Sequence, residues 1–95
     1  MKTTQIQRRY PGKKAGEIYQ KVDEVMQRIA GEYSLHYQGD AAARRGEVSK
    51  MGVHGTYVVR DEEVTVDLRY PMLIPGSVRR KVQDSIELRL DGLFA

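Results

Sequence analysis

The sequence predicts an α+β domain in two layers: an antiparallel sheet with two helices on one face, in the order β-α-β-β-β-β-α. Three observations carry this. Residues 13–34 and 77–92 repeat apolar side chains at helical spacing, residues 52–60 and 63–70 alternate apolar with polar, and no tract reads as a linker or internal repeat. Each helix has one apolar stripe and the sheet one apolar face, so stacking two layers buries all of them.

The first strand is Thr3 to Arg9, a weak alternation around Ile6 that suits a sheet edge. Pro11-Gly12 then stops extension and sets the start of the first helix, because the residue before proline is pushed out of the α region. In that helix Ile18, Val22, Val25, Ile29 and Tyr33 share one face, widened by Tyr19, Met26 and Ala30. Glu17–Lys21 and Glu24–Arg28 add i,i+4 pairs in the favourable orientation, and Gly31 and Ser34 loosen the end.

Leu35 to Gln38 reads as a brief strand ending at the Gly39-Asp40 turn signal, and residues 41–46 read as a loop or a single helical turn. Strand character returns from Glu47. Val53, Gly55, Tyr57 and Val59 share one face, as do Val64, Val66, Leu68 and Tyr70, with Arg60-Asp61-Glu62-Glu63 as the polar hairpin between. After Pro71-Met72-Leu73-Ile74-Pro75-Gly76, Ser77 is the expected N-cap of the second helix. Val78, Val82, Ile86, Leu90 and Leu93 form its stripe, with Leu88 and Phe94 nearby. This order is that of the TATA-box-binding and helix-grip folds, a comparison of topology that leaves function open.

Composition bounds the rest. The chain has 95 residues, 16 Lys/Arg against 13 Asp/Glu, a net charge of +3 and no cysteine, which suits one domain over residues 1–95. The absence of cysteine excludes a disulfide scaffold, thiolate chemistry and thiolate-ligated metals. With no apolar leader segment and no long apolar run, the expected location is the cytoplasm.

Catalysis has little support. A hydrolytic triad needs a histidine beside a nucleophile and an acid, but no G-x-S-x-G elbow occurs. His36 and His54 fall in predicted strands, and His54 points away from the face of Val53 and Gly55. Ser49, Ser77 and Ser85 read as strand, cap and helix-surface residues. Pro11-Gly12-Lys13-Lys14 precedes a helix but lacks the glycine spacing of a phosphate loop. The expectation is no catalytic residue, no metal and no cofactor, hence not an enzyme.

Positive charge is more informative in its placement. Arg8, Arg9, Lys13 and Lys14 gather around the start of the first helix, and Arg79, Arg80 and Lys81 around the first turn of the second. Helix N-termini already carry about half a positive charge, so cations there are mildly unfavourable. Either they hold an anion against the free N–H groups, or their long side chains extend into solvent. Nucleic acid is a weak expectation. The charge is small, and although Tyr37, Tyr57 and Tyr70 could stack on bases, the last two lie on core faces. Met72, Leu73 and Ile74 are three large apolar residues in a connection. They either close the open end of the core or stand out as a wedge for an apolar surface or half of a homodimer contact.

Three stretches in order resemble one small bacterial family: the helix stripe ending Glu32-Tyr33-Ser34-Leu35, then Gly52-Val53-His54-Gly55-Thr56-Tyr57-Val58-Val59 leading to Val64-Thr65-Val66, and the close Leu90-Asp91-Gly92-Leu93-Phe94-Ala95. They are similar to the polyhydroxyalkanoic acid system proteins, encoded beside polyester-granule genes. The resemblance implies association with granules or granule proteins and brings no catalytic residue. Where the family has a histidine before the first helix, this chain has Tyr10, and its 41–46 loop reads as longer than the family's turn. Read physically, Gly52 suits a positive-φ position, and Gly55 faces inward where a helix approaches closely.

The expected function is a non-enzymatic accessory protein. It would present Met72, Leu73 and Ile74 to a granule or other apolar surface, with Arg79, Arg80 and Lys81 for anionic groups. The alternative is a small-ligand module that holds an acyl chain between sheet and helices, its acid group at a helix N-terminus.

Overall fold

The structure, a computed structural model, describes residues 2–95. Its elements are β1 (Lys2–Arg9), α1 (Ala15–Tyr33), β2 (His36–Asp40), β3 (Arg45–Lys50), β4 (Val53–Arg60), β5 (Glu63–Tyr70) and α2 (Gly76–Asp91). The expected order and fold class are found. Strands β2 to β5 form an antiparallel meander, and β1 joins its far side beside β5, giving the order β1-β5-β4-β3-β2. Both helices cover one face. The inner positions of β4 and β5 are the alternating ones, from Tyr57 and Val59 to Val64, Val66, Leu68 and Tyr70, all buried.

The tight β4–β5 hairpin pairs Arg60 with Glu63, and Glu62 takes a left-handed φ of 62°. The β3–β4 turn is equally short. Met51 and Gly52 have φ of 50° and 88°, so the expected positive φ at Gly52 is present.

Of residues 41–46, the first four form a turn, as expected, and Arg45 and Gly46 already belong to β3. Strand β2 continues through Gly39 and Asp40, β3 begins at Arg45, and Asp40 pairs with Arg45 across a four-residue turn. Asp40 Oδ1 accepts the Ala43 N–H at 3.1 Å inside that turn. The turn is therefore short, contrary to the expected long connection. Gly39, read as a turn signal, and Gly46, read as the end of the loop, sit opposite one another as a cross-strand pair. Tyrosine rings fill the space: a Cβ on Gly39 would lie 2.6 Å from the Tyr19 and Tyr37 hydroxyls, and one on Gly46 2.7 Å from the Tyr57 ring.

Gly55 is buried as expected, but strand neighbours and not a helix crowd it. A Cβ there would meet Leu68 Cδ2 at 3.0 Å and Val48 Cγ2 at 3.2 Å. Ser77 is not the N-cap of α2; Pro75 is, with no side-chain hydrogen bond to offer. Arg79 therefore closes the first turn, while Arg80 and Lys81 lie beyond it.

Helix α2 packs unevenly along its length. Leu90, and Leu93 just past the helix end, are buried; Val82 and Ile86 are half-buried, Val78 is 42% exposed and Leu88 points to solvent at 75%. The fastenings are at the C-terminal end. Arg8 Nε donates to Asp91 Oδ1 at 2.6 Å, and its guanidinium reaches Glu87 at 3.2 Å. The Tyr10 hydroxyl donates to the Leu90 carbonyl at 2.6 Å, and its ring meets Phe94 edge-on. Among the described residues no such tie holds its other half, and there α2 leaves the core open.

Candidate functional site

That opening is a groove of about 540 Å³ between α1, α2 and the sheet. Its floor is Val48, Gly55 and Leu68; Met26 and Ile29 of α1 form one wall, and Val78, Val82 and Ile86 of α2 the other. A small apolar void of about 30 Å³ lies alongside and shares Met26, Ile29 and Ile86. Among the described residues no acidic side chain lines the groove, and its cations are Lys50 and Lys81. Lys50 is engaged: its ammonium donates to the Tyr33 carbonyl, where the C-terminal end of α1 favours a cation. The volume falls within the range of about 300–1,000 Å³ usual for ligand pockets.

The mouth carries the strongest exposure of apolar side chains. Leu73 is 95% exposed, Met51 89% and Met72 66%, with Tyr33 also outward. These belong together, since a Cβ on Gly52 in the β3–β4 turn would lie 3.0 Å from Pro71 Cγ at the start of the crossover. Of the predicted apolar segment, then, Met72 and Leu73 stand out while Ile74 packs on the core and lines the groove. The crossover does not close the end of the core.

The two basic clusters are kept apart. They lie at opposite ends of α2, a helix of 16 residues and hence about 24 Å long. At the first, Arg8 is held by Asp91 and Glu87, and Arg9 by Glu62 at 3.6 Å and Glu63 at 3.4 Å. Lys13 sits 4.8 Å over the Phe94 ring. The amides at the start of α1 are answered by the protein's own carboxylates. Asp61 accepts from Ala15 N–H at 2.8 Å, Glu62 from Gly12 N–H at 2.8 Å and Glu17 from Lys14 N–H at 3.4 Å. The hairpin Asp61-Glu62 thus occupies the place that one of the two sequence readings gave to an external anion.

At the second cluster Arg80 and Lys81 are exposed beside the groove mouth, and Arg79 is partly buried. Here α2 has no acidic residue in its first turn and no side-chain cap. The Tyr70 hydroxyl and Arg79 Nε, both buried, have no hydrogen-bond partner among the described residues. Burial raises the Tyr70 hydroxyl above its ordinary range, and the nearby charge of Arg79 opposes that shift.

Sequence reading also missed a polar knot beneath α1. The Tyr37 hydroxyl donates to Asp23 at 2.6 Å and shares a 2.5 Å hydrogen bond with the Tyr57 hydroxyl, while Gln27 donates to Asp23 at 2.8 Å. Burial, reinforced by the Asp23 hydrogen bond, holds Tyr37 protonated far above its usual range; burial does the same for Tyr57. The rings stack at 6.5 Å. Bonded inward, Tyr37, Tyr57 and the buried Tyr70 offer no platform for bases. The signal was present in the Gly39 and Gly46 spacing, which makes room for these rings.

On the opposite, open face of the sheet, Ser49 stands between His36 and His54 in register. The histidines are two strands apart, and among the described residues no group of three or more His, Asp or Glu gathers there. His54 lies 3.6 Å from Glu47.

Fold and groove define the class: a small two-layer α+β domain whose core opens into an apolar groove at one end. The chain belongs to a polyhydroxyalkanoate-system family: residues 7–94 match the family described as "Putative polyhydroxyalkanoic acid system protein". Neither the curated proteins nor the solved structures compared with the chain give a match. Among the described residues no helix is long and apolar enough to cross a membrane.

Proposed function

We propose that the chain is a non-enzymatic accessory protein of the polyhydroxyalkanoate system that docks on an apolar surface with anionic groups, the polyester granule. The observation that carries this reading is the exposure of Leu73, Met51 and Met72 at one end of the molecule, bordered by Arg80 and Lys81. Family membership supports the granule as that surface. Burying a large apolar side chain contributes about 1.5–3 kcal/mol, and each cation near an anionic surface about 1 kcal/mol. Together the apolar contacts are the larger part, so the docking should persist in salt and weaken without vanishing.

Flotation of the purified protein with polyester granules, and with neutral and anionic liposomes, tests this at low and high salt. Binding to granules that is lost on replacing Met72 and Leu73 by Ser, with the fold intact by circular dichroism, is the expected result. Equal flotation of parent and double variant, or no binding by the parent, overturns it.

A further inference from the structure

We propose that the open edge of β2 pairs with β2 of a second copy of the chain, antiparallel and centred on Gln38, joining two sheets into one. This interface is separate from the apolar end that docks on the granule and does not rest on that reading.

Strand β2 lies at the edge of the sheet, with β3 as its neighbour on one side and no strand beyond it among the described residues. The β3–β4 turn shows which backbone groups face that edge. In a two-residue hairpin the flanking residues, here Lys50 and Val53, exchange both backbone hydrogen bonds. At the other end of β3 the Val59 N–H donates to the Arg44 carbonyl at 2.8 Å, which fixes the same alternation. Gly46, Val48 and Lys50 therefore turn their backbone groups to β4, and Arg45, Glu47 and Ser49 turn theirs to β2. Their register partners Asp40, Gln38 and His36 are satisfied there. The residues between, Tyr37 and Gly39, point N–H and C=O out of the sheet. Apart from the half-buried Tyr37, the whole strand is exposed.

A second copy of the same strand complements this edge. Antiparallel pairing about Gln38 sets Tyr37 opposite Gly39 of the second copy, and the outward backbone groups of each such pair exchange both hydrogen bonds. On the helix side Gly39 brings no side chain against Tyr37, whose hydroxyl is already held by Asp23 and Tyr57. On the open face His36 stands opposite Asp40 of the second copy, an imidazole donor against a carboxylate. Gln38 meets its own copy, an amide that both donates and accepts. Sliding the register loses the His36–Asp40 match. Exposed edges are commonly guarded by lysine, proline or a bulge, and β2 has none of these. The other edge, β1, carries Lys2, Arg8 and Arg9 and no acid, so pairing with itself would bring like charges together. The twofold axis stands perpendicular to the joined sheet. It places the Leu73 ends of the two copies at opposite ends of the strands and leaves both uncovered.

Sedimentation equilibrium of the full chain, at concentrations up to about 1 mM, tests this. The parent should show a monomer–dimer equilibrium that Leu73→Ser leaves unchanged. Gln38→Lys and Gln38→Glu each set like charges directly opposite at the twofold axis. Each should weaken the dimer about fivefold, with the fold retained by circular dichroism. An equimolar mixture of the two variants should regain the parent's affinity, because the introduced charges are then of opposite sign. This complementation is specific to the register, since it requires position 38 to face itself. A parent that stays monomeric, a dimer unaffected by Gln38→Lys, or a mixture no tighter than its components overturns the proposal. Loss of the dimer in Leu73→Ser would assign the contact to the apolar end and overturn it as well. Failure of granule flotation with the dimer intact would overturn the docking reading alone.

Discussion

Gly46 and Tyr57 face each other across β3 and β4, and the Tyr57 ring covers Gly46 so closely that a Cβ there would lie 2.7 Å from it. The contact has no slack, because Tyr57 is itself fixed by Tyr37 at 2.5 Å and through it by Asp23. Gly46→Ala should therefore destabilise the protein by about 1–3 kcal/mol through overpacking. Gly31→Ala is the matched control. Nothing lies within 4 Å of its added methyl, and alanine in a helix is favoured by about 0.5–1 kcal/mol, so it should raise the melting temperature. Urea denaturation of both variants checks the pair; a Gly46→Ala variant as stable as the parent would refute the packing account.

Tyr70→Phe removes a buried hydroxyl that has no partner among the described residues and keeps the ring in the core. It should stabilise by about 1 kcal/mol, the reverse of the usual loss on deleting a tyrosine hydroxyl. A lower melting temperature would mean that the hydroxyl is satisfied.

Arg8 fastens β1 to the last turn of α2 through Glu87 and Asp91, with side chains that are still partly exposed. Its replacement by Met should cost only about 0.5–1 kcal/mol globally, and less in high salt. The local effect should be larger. Hydrogen exchange of amides 86–93 should speed up more than that of α1, and equal acceleration everywhere would contradict the fastening role.

Alkaline pH should weaken the fold. Burial pushes the Tyr10 hydroxyl up to about 12 and also raises Tyr37, Tyr57 and Tyr70. Each keeps its proton in the folded state at pH values where the unfolded chain releases it. Their contribution is thus complete below about pH 10, the ordinary tyrosine value, and is lost as pH rises through the folded values. Denaturation midpoints should hold up to about pH 9 and then fall, with tyrosinate absorbance lagging until unfolding. Constant stability to about pH 11 would refute this.

Leu73 is 95% exposed, so Leu73→Ser should leave stability within about 0.5 kcal/mol of the parent while removing granule binding. Unfolding of this variant would place Leu73 in the core instead.

What is local in this protein was legible in its residues alone. Period and alternation assign both helices and the inner faces of β4 and β5, because a helix stripe and a pleat are properties of neighbouring residues. Size in a connection singles out Met72, Leu73 and Ile74 without saying which stand exposed, and charge in the wrong place singles out Arg79, Arg80 and Lys81. Three features needed the folded chain. Gly39 reads as a turn signal and Gly46 as part of a loop, since the tyrosine rings that fill their space come from α1, β2 and β4. Arg8 and Arg9 read as open to an external anion, but their partners are up to 83 positions away, and charges carry no period that would announce a pairing. The groove lies at the end of α2 away from the Arg8 and Tyr10 ties, which join residues far apart in sequence. Local spacing sets which face is apolar; what that face meets depends on the angle at which distant elements pack, and no run of residues encodes that angle alone.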